Sequence, residues 1–432
     1  MPTLNKKYIK VTGKKGFDTF IFNNKYLYSQ YDPQKEAQKF VDSKPDLKKR
    51  VLTVCGAEFV NRHLLASGKT VISFTPEVFE NRIISTDIVY FNNTNDLEKY
   101  IMNNNIHAAD ISILLWNELI RTDYEYYAPL IDRIKNILYK SSFSINTAGV
   151  FDRLEKRNGT VNKNKFKKIK FLNKSSRKTN NAALICSSGV SLGYNSDFIK
   201  NIAGKMTVFA LPSAVKYLES ISIHPDYIII TDPGYGSLYH IYQLLVPHKI
   251  IAPLSISPVI TSLDNMDFYF FDYQNALVES LPVSNDIVST PAEGTVFNNA
   301  LRVVAQTGFS SAVICGQDFG YDGGVAHIKG GSFEDEFIGR SDYFKPLETS
   351  VYLLDHRNPA ETIKTDDGRL FKTDIPFKLY LDHFMKTDFG LEIFRCPVNI
   401  NPMTDKIPVF NQEIPVIRSK YFPDYSTIET EV

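Results

Sequence analysis

The segment Gly316–His327 concentrates side chains that could transfer protons or bind a ligand. Two carboxylates, Asp318 and Asp322, lie with Tyr321 and His327 among glycines, directly behind a predicted buried strand. A loop with this many donors and acceptors is more often functional than structural. Histidine side chains titrate near neutral pH, so His327 is a candidate general base or acid, although a single loop histidine is commonly an ordinary surface residue.

A second loop, Ser187–Leu192, contains the residue types that bind phosphate. Gly189 lets backbone N–H groups approach an anion closely, and Ser188 and Ser191 add hydroxyl donors at the start of a predicted helix. An ordinary strand-to-helix turn uses the same residue types. The sequence therefore leaves two interpretations open, a phosphate loop and a structural turn.

Polar residues also follow other predicted strands, among them Ser213 and Asp232. Asp232 or Asp318 taken alone is best interpreted as a cap of a turn or helix. Two carboxylates at strand ends of one sheet instead favour a site for a ribose, a metal ion or an acceptor hydroxyl. We therefore expect Asp232, Asp318 and His327 to line one cleft.

These residues are positioned by the most regular part of the sequence, about residues 180–330. Strand-like and helical runs alternate there, which is typical of a doubly wound, mostly parallel α/β sheet. Ligands of such sheets bind outside the carboxyl ends of the strands, where the loops described above lie. The predicted strands are Ala182–Cys186, Met206–Ala210, Tyr227–Thr231, Lys249–Ala252, Phe268–Phe271 and Ala312–Cys315; the predicted helices are Asp197–Ala203, Ala214–Ser220, Ser237–Leu245 and Thr295–Thr307.

The segments on either side of this central region are predicted to form a further domain, a linker and an extension. Residues 1–150 contain a strand–helix–strand pattern between Val51 and Phe74, in which Gly56 is a weak candidate for a phosphate turn, and a later aromatic helix over Tyr124–Tyr139. Residues 151–179 are rich in Lys and Arg and are interpreted as a solvated helix end and linker, with a nucleic-acid patch as the alternative. Residues 331–432 are interpreted as a carboxyl-terminal extension or lid.

The composition is that of a globular chain with two or three domains. Hydrophobic residues make up 43% and charged residues 22% of 432 positions, which excludes global disorder and fibrous repeats. Lys and Arg total 49 against 48 Asp and Glu, so the net charge implies no nucleic-acid partner. No apolar run reaches the length of a signal sequence or a membrane span, and we expect a cytoplasmic protein.

The cysteines are too widely spaced for a CxxC pair or a secreted-type disulfide framework. Three of them end β-like runs and are expected to be buried strand thiols rather than nucleophiles. The four cysteines are Cys55, Cys186, Cys315 and Cys396, of which the first three end such runs.

In order and spacing, several of these segments resemble the MptE-like/Maf (motility-associated factor) family. The loop Ser187–Leu192 is similar to the family's Gly-x-Gly-Pro-Ser-Leu loop, and His224–Pro233 is similar to its Lys-Pro-Asp-Tyr…Asp-Pro block. Gly294–Phe309 and Gly316–His327 resemble its helix and its Gly-Gln-Asp-Leu-Ala-Tyr…His loop. Its later Lys-Thr element has two candidate matches, Lys364-Thr365-Asp366 and Lys372-Thr373-Asp374.

The sequence departs from the family pattern in two places. Ser187 and Val190 replace the first glycine and the proline of the loop, and no Glu-Gly-Gly segment is found around Asn399–Ile407. The first departure affects the details of nucleotide binding, and the second affects the acceptor side or the carboxyl-terminal architecture.

The resemblance implies a central sheet like that of bacterial sialyltransferases and a Rossmann-like first domain. It also implies a glycosyltransferase that moves a nonulosonic acid from CMP to Ser or Thr of flagellin. The archaeal MptE branch implies instead an ATP-dependent 6-hydroxymethylpterin diphosphokinase, which the chain length disfavours. A third hypothesis is a catalytically silent binding module for flagellar or envelope assembly.

Under the transferase hypothesis, Asp318 or His327 would act as base and Tyr321 would donate to the departing phosphate. No metal ligand is assigned, magnesium would serve only an ATP reaction, and the oligomeric state is left open. The residues assigned to nucleotide binding are Ser187, Ser188, Gly189, Ser191, Leu192, Ser213, Asp232, Gly294, Thr295, Gly316 and Gln317.

Overall fold

The chain divides into two compact units, Met1–Val150 and Phe151–Val432, so the boundary falls where the first predicted domain ends. The candidate turn at Gly56, the thiol of Cys55 and most of the first candidate Lys-Thr element lie outside the described residues. The computed structural model describes residues 9–54, 58–75, 86–104, 106, 108–242, 244, 246–273, 286–291, 293–338, 341–355, 360–364, 370–410 and 424–429.

The first unit is built from a small antiparallel sheet followed by a parallel α/β sheet. Its elements are β1 (Ile9–Thr12), β2 (Asp18–Phe22), β3 (Lys25–Tyr26), α1 (Pro33–Asp42), β4 (Arg50–Val54), α2 (Glu58–Ala66), β5 (Thr70–Phe74), β6 (Ile88–Phe91), α3 (Thr94–Asn103), β7 (Ile111–Leu115), α4 (Asn117–Thr122) and the start of α5 (Tyr124–Lys165). Strands β4 to β7 form a parallel sheet in the order β6-β5-β4-β7. This Rossmann-like order contains the predicted β4–α2–β5 unit.

The second unit carries a large central sheet with helices on both faces. Its elements after α5 are β8 (Lys168–Leu172), β9 (Thr179–Cys186), α6 (Ser191–Tyr194), α7 (Ser196–Ala203), β10 (Thr207–Ala210), α8 (Pro212–Ser220), β11 (Tyr227–Ile229), α9 (Gly236–Tyr239), β12 (His248–Pro253), β13 (Met266–Phe271), α10 (Val296–Gln306), β14 (Phe309–Cys315), α11 (Asp335–Ile338), α12 (Leu347–Asp355), β15 (Glu361–Lys364), β16 (Leu370–Thr373), α13 (Ile375–Lys386), β17 (Glu392–Arg395) and β18 (Tyr425–Glu429).

The strand order of the central sheet is β17-β14-β9-β10-β11-β12-β13-β8-β18, and every pair is parallel except β8 with β18. Strands β9 to β13 follow one another in space, whereas β14 pairs on the other side of β9. The winding direction therefore reverses between β9 and β14, which makes this strand pair the topological switch point. The predicted doubly wound, mostly parallel sheet is confirmed.

Both faces of the central sheet are buried, as a parallel sheet requires. Successive residues point to opposite faces, so Leu184 packs with α7 and α8 while Ile185 packs with α10 and α13. Helix α10 buries the predicted apolar face through Phe297, Ala300 and further residues. Cys186 and Cys315 are register partners on β9 and β14 and are buried, as expected of strand thiols.

Two boundaries differ from the sequence prediction. The predicted linker 151–179 contains the end of α5 and strand β8, which pairs with β13, so it belongs to the second unit. The predicted extension 331–432 contributes β17 and β18 to the central sheet and is more than a lid. Sequence patterns miss both because the partner strands lie far away along the chain. No helix among the described residues is both long and apolar enough to cross a membrane.

Candidate active site

The two loops singled out by sequence meet at the switch point. The loop after β9 leads into α6, and the loop after β14 carries Asp318. Ser191 donates its backbone N–H to Asp318 Oδ2 at 2.9 Å and its hydroxyl to Asp318 Oδ1. A carboxylate thus receives the hydrogen bonds that the start of α6 offers to an anion.

Close approach of the loops depends on glycine at two positions. A Cβ on Gly189 would lie 2.5 Å from both Asp318 Oδ2 and the carbonyl oxygen of Gly316. Gly316 has φ +73°, and a Cβ there would lie 2.1 Å from the carbonyl oxygen of Ser187. Gly189 therefore lets the Asp318 carboxylate approach the Ser191 loop closely, and phosphate binding by this loop stays a prediction.

Asp318 is buried, with 4% of its surface exposed. Burial raises the pKa of Asp318 to about 6, while hydrogen bonds from Ser191 and the Val190 amide oppose the rise. The next residue, Phe319, is buried with φ +52°, a strained conformation for a bulky side chain. Both carboxylate oxygens of Asp318 accept hydrogen bonds from Ser191, which leaves them fewer lone pairs for an external ligand.

A hydrogen-bonded chain connects the first loop to His327. Ser213 donates to Ser188 Oγ at 2.8 Å, and Ser188 Oγ lies 3.2 Å from His327 Nδ1. The imidazole stacks on Phe333 with ring centroids 3.8 Å apart. His327 is half-buried. A neighbouring hydroxyl and an aromatic face hold its ring, as a general base requires.

Asp232 lies apart from these two residues. It follows β11, two strands from β9, so the strand ends are about 10 Å apart. Its Oδ1 accepts the Gly234 N–H at 2.8 Å, the turn-capping role that the sequence allowed. Asp318 and His327 lie in the segment that follows β14, and the prediction that they line one cleft with Asp232 stays a prediction.

An acidic group of side chains surrounds Tyr273, close to Asp232. Burial raises the pKa of Tyr273 to about 12, and the carboxylates of Glu155, Glu293 and Asp232 add to the effect. Glu293 is itself buried and pairs with Arg302 at 2.7 Å. Neither Tyr273 nor Glu293 was predicted, although Glu293 directly precedes the Gly294-Thr295 pair.

Several predicted site residues have structural positions. Tyr321 is buried and donates its hydroxyl to Asp374 Oδ2 at 2.9 Å, and its predicted donation to a leaving phosphate stays a prediction. Thr295 caps α10, with the Asn298 N–H at 3.2 Å from its hydroxyl, and it follows Gly294. Leu192 is wholly buried in the core. Gln317 is half-buried beside Asp318.

Two buried asparagines that sequence reasoning missed support the site. Asn195 accepts the Val398 N–H at 3.0 Å and donates to the Ser191 carbonyl at 2.7 Å. Asn401 donates to the Asp318 carbonyl at 2.8 Å. The segment around Val398 and Asn401 is therefore hydrogen-bonded to the Asp318 loop and, through Asn195, to Ser191. This is the region in which the family's Glu-Gly-Gly segment is missing. Asparagine alone gives no sequence signal for such a role.

The fold and site define an α/β protein with its candidate ligand site at the switch point of a parallel sheet. Residues 157–324 match the family model described as 6-hydroxymethylpterin diphosphokinase MptE-like. The fold is similar to the solved structure of the MAf glycosyltransferase from Magnetospirillum magneticum AMB-1, with a TM-score of 0.60 and 11% identity over 99% of this chain and 75% of that chain. No curated protein matches the chain by sequence.

These comparisons confirm the predicted MptE-like/Maf resemblance, by sequence in the central segment and by fold along the chain. At 11% identity the structural likeness establishes the fold and leaves the activity to be argued from the site.

Proposed function

We propose that this chain is a glycosyltransferase that moves a nonulosonic acid from its CMP ester to a serine or threonine hydroxyl of flagellin. The observation that carries the proposal is the extent of the structural likeness, which covers 99% of the chain. The family model is confined to residues 157–324. A diphosphokinase made of that segment alone gives the flanking segments no role.

The reaction breaks the bond between the anomeric carbon and the donor phosphate oxygen and forms a bond from that carbon to the acceptor oxygen. The sugar passes through an oxocarbenium-like state, and CMP leaves with the negative charge. The acceptor proton goes to His327, whose ring is oriented by Ser188 and Phe333. Asp318 acts as a positioning residue, because it is buried and holds the Ser191 loop.

The donor phosphate needs hydrogen-bond donors that the protein does not use itself. The Ser191 and Val190 amides do not qualify, since they bind Asp318. Ser187 and Ser255 follow β9 and β12, and their buried hydroxyls have no hydrogen-bond partner within the described part of the chain. Buried polar groups are normally paired, so these two hydroxyls are candidate donors to the ligand.

The match to the diphosphokinase family supports a second candidate, transfer of diphosphate from ATP to a hydroxymethylpterin. That reaction requires magnesium around a triphosphate, and carboxylates are the expected ligands. Asp232 is the carboxylate that offers an oxygen at the carboxyl ends of these strands, since Glu293 pairs with Arg302 and His383 and both Asp318 oxygens accept hydrogen bonds from Ser191. Metal dependence therefore separates the two candidates.

The deciding assay incubates the protein with a CMP-nonulosonic acid and flagellin, or with ATP and hydroxymethylpterin, each with and without magnesium. We expect sugar transfer and CMP binding that survive removal of magnesium. His327→Ala should abolish turnover while CMP binding persists, and Ser188→Ala should lower turnover less. Pterin diphosphate formation would overturn the proposal, and absence of both turnover and nucleotide binding would favour a silent binding module.

A further inference from the structure

A cluster of three potential metal ligands lies at the amino-terminal edge of the central sheet. Glu219 is in the last turn of α8, His224 is in the connection to β11, and His248 begins β12. Their ligand atoms all lie within 4.8 Å of one another. The candidate active site is at the carboxyl ends of the same parallel strands, so this cluster is separate from it.

The spacing of the three ligand atoms is close to that of a metal site. Glu219 Oε1 lies 2.8 Å from His248 Nε2 and 3.6 Å from His224 Nδ1. The two imidazoles are stacked, with ring centroids 4.4 Å apart and planes inclined by 28°. Ligand atoms of a tetrahedral zinc ion are about 3.4 Å apart when the bonds are 2.0–2.1 Å long, a value between the two distances above. Because a metal ion lies in the plane of each imidazole that binds it, the exposed His224 ring must turn out of the stack to share one ion with His248.

The chemistry of the donors selects the ion. Two imidazole nitrogens and one carboxylate oxygen suit zinc and its neighbours in the first transition series, whereas magnesium prefers an all-oxygen site. The His224 side chain is 53% exposed, which gives an ion a route in from solvent.

We propose that Glu219, His224 and His248 bind one divalent transition-metal ion of the zinc class, with water as the fourth ligand. The ion connects the end of α8 to the starts of β11 and β12. Binding to the folded state alone raises its stability in proportion to the logarithm of the metal concentration. The ion thus links these elements at the amino-terminal ends of the strands, away from the candidate active site.

The test titrates the full-length, untagged, chelator-treated protein with Zn²⁺, Co²⁺ and Mg²⁺ by calorimetry. We expect one Zn²⁺ or Co²⁺ per chain, no Mg²⁺ binding at this site, and the visible absorption of tetrahedral Co²⁺. His224→Ala and Glu219→Gln should each weaken Zn²⁺ binding by at least about 100-fold and abolish the zinc-dependent rise in Tm.

His63→Ala is the matched control, because His63 Nε2 also contacts a carboxylate, Asp42 Oδ1 at 3.0 Å, but belongs to no cluster of three potential metal ligands among the described residues. This variant should bind zinc like the unmodified protein. Equal zinc affinity in His224→Ala and the unmodified protein, or no stoichiometric binding in the latter, would overturn the proposal. His224→Ala and Glu219→Gln change residues outside the candidate active site, so their effect on zinc binding is measured separately from sugar transfer.

Discussion

At the scale of single residues, Gly189 controls how closely the loops after β9 and β14 approach. A methyl group there would lie 2.5 Å from a carbonyl oxygen of the backbone and from the Asp318 carboxylate. We therefore expect Gly189→Ala to destabilise the protein by about 1–3 kcal/mol, the usual cost of overpacking. Urea unfolding would measure the change, and calorimetry would show weaker CMP binding.

Gly204→Ala provides the control for this substitution. Gly204 follows α7 with φ −66°, and a Cβ there meets no atom within 4 Å. Its unfolding free energy and its CMP affinity should match those of the unmodified protein. Equal stability of the Gly189 and Gly204 variants would show that the two loops do not approach each other as described.

Asp318 gives the stability a specific dependence on pH. Its folded-state pKa of about 6 exceeds the ordinary value of 3.8, so the folded state binds more protons between these values. The contribution of Asp318 is therefore most favourable at low pH and is lost as pH rises through 6. Two pKa units correspond to about 3 kcal/mol.

Asp318→Asn should remove this dependence. The stability of the variant relative to the unmodified protein should increase from pH 4 to pH 7 by up to about 3 kcal/mol, measured by urea unfolding at each pH. Asp197→Asn, on the exposed surface of α7, controls for the loss of one carboxylate. A difference between the Asp318 variant and the unmodified protein that stays constant with pH would contradict the assigned environment.

Sequence reasoning located the loops of the site better than it assigned their roles. The residue types of Ser187–Leu192 and of the Asp318 loop marked both loops, and the structure joins them. The sequence does not reveal that the Asp318 carboxylate accepts a hydrogen bond from the backbone N–H of Ser191, 127 positions away. The hydrogen bond of Tyr321 to Asp374 could not be predicted for the same reason, because Asp374 is 53 positions away.

At the scale of elements, the six predicted strands of the central sheet were found because each is a short apolar run between turn residues. Strands β8, β17 and β18 were missed, since their mixed polar and apolar residues do not stand out in the sequence; β17 and β18 are edge strands, and β8 lies next to one. The end of α5 was assigned to a linker because its lysines suggested solvent. Its buried face is made of asparagines rather than apolar residues.

One of those asparagines, Asn162, connects α5 by hydrogen bonds to the segment that follows β12. The Asn162 side-chain amide donates to the carbonyls of Leu254 and Ile256 at 2.7 and 2.9 Å. Asn162→Ala leaves two carbonyls without these donors, and we expect a loss of about 1–3 kcal/mol. The exposed Asn164 of the same helix is the control, and Asn164→Ala should be neutral in thermal unfolding. Equal midpoints for both variants would remove this role from Asn162.

At the scale of the whole molecule, the last part of the chain completes the central sheet. Strand β17 pairs with β14 at one edge, and β18 pairs with β8 at the other. Both edge strands come from residues after 390, outside the segment 157–324 that matches the family model. The matched segment therefore lacks the strands that cover β14 and β8.

Removal of β18 tests whether the central sheet depends on its last strand. A chain ending at residue 423 loses its pairing with β8, the ion pair of Lys168 with Glu429 at 3.1 Å, and the ring contact of Tyr425 with Tyr269. An uncovered edge strand promotes association between chains, so we expect a lower thermal midpoint and concentration-dependent light scattering.

A chain ending at Glu429 is the control, because it keeps β18 and should behave like the full-length protein. CMP binding should persist in both chains below the midpoint, because the candidate site lies at β9 and β14, far from β18 in the sheet. If the chain ending at residue 423 melted like the full-length protein and stayed monomeric, β18 would have no part in stabilising the sheet.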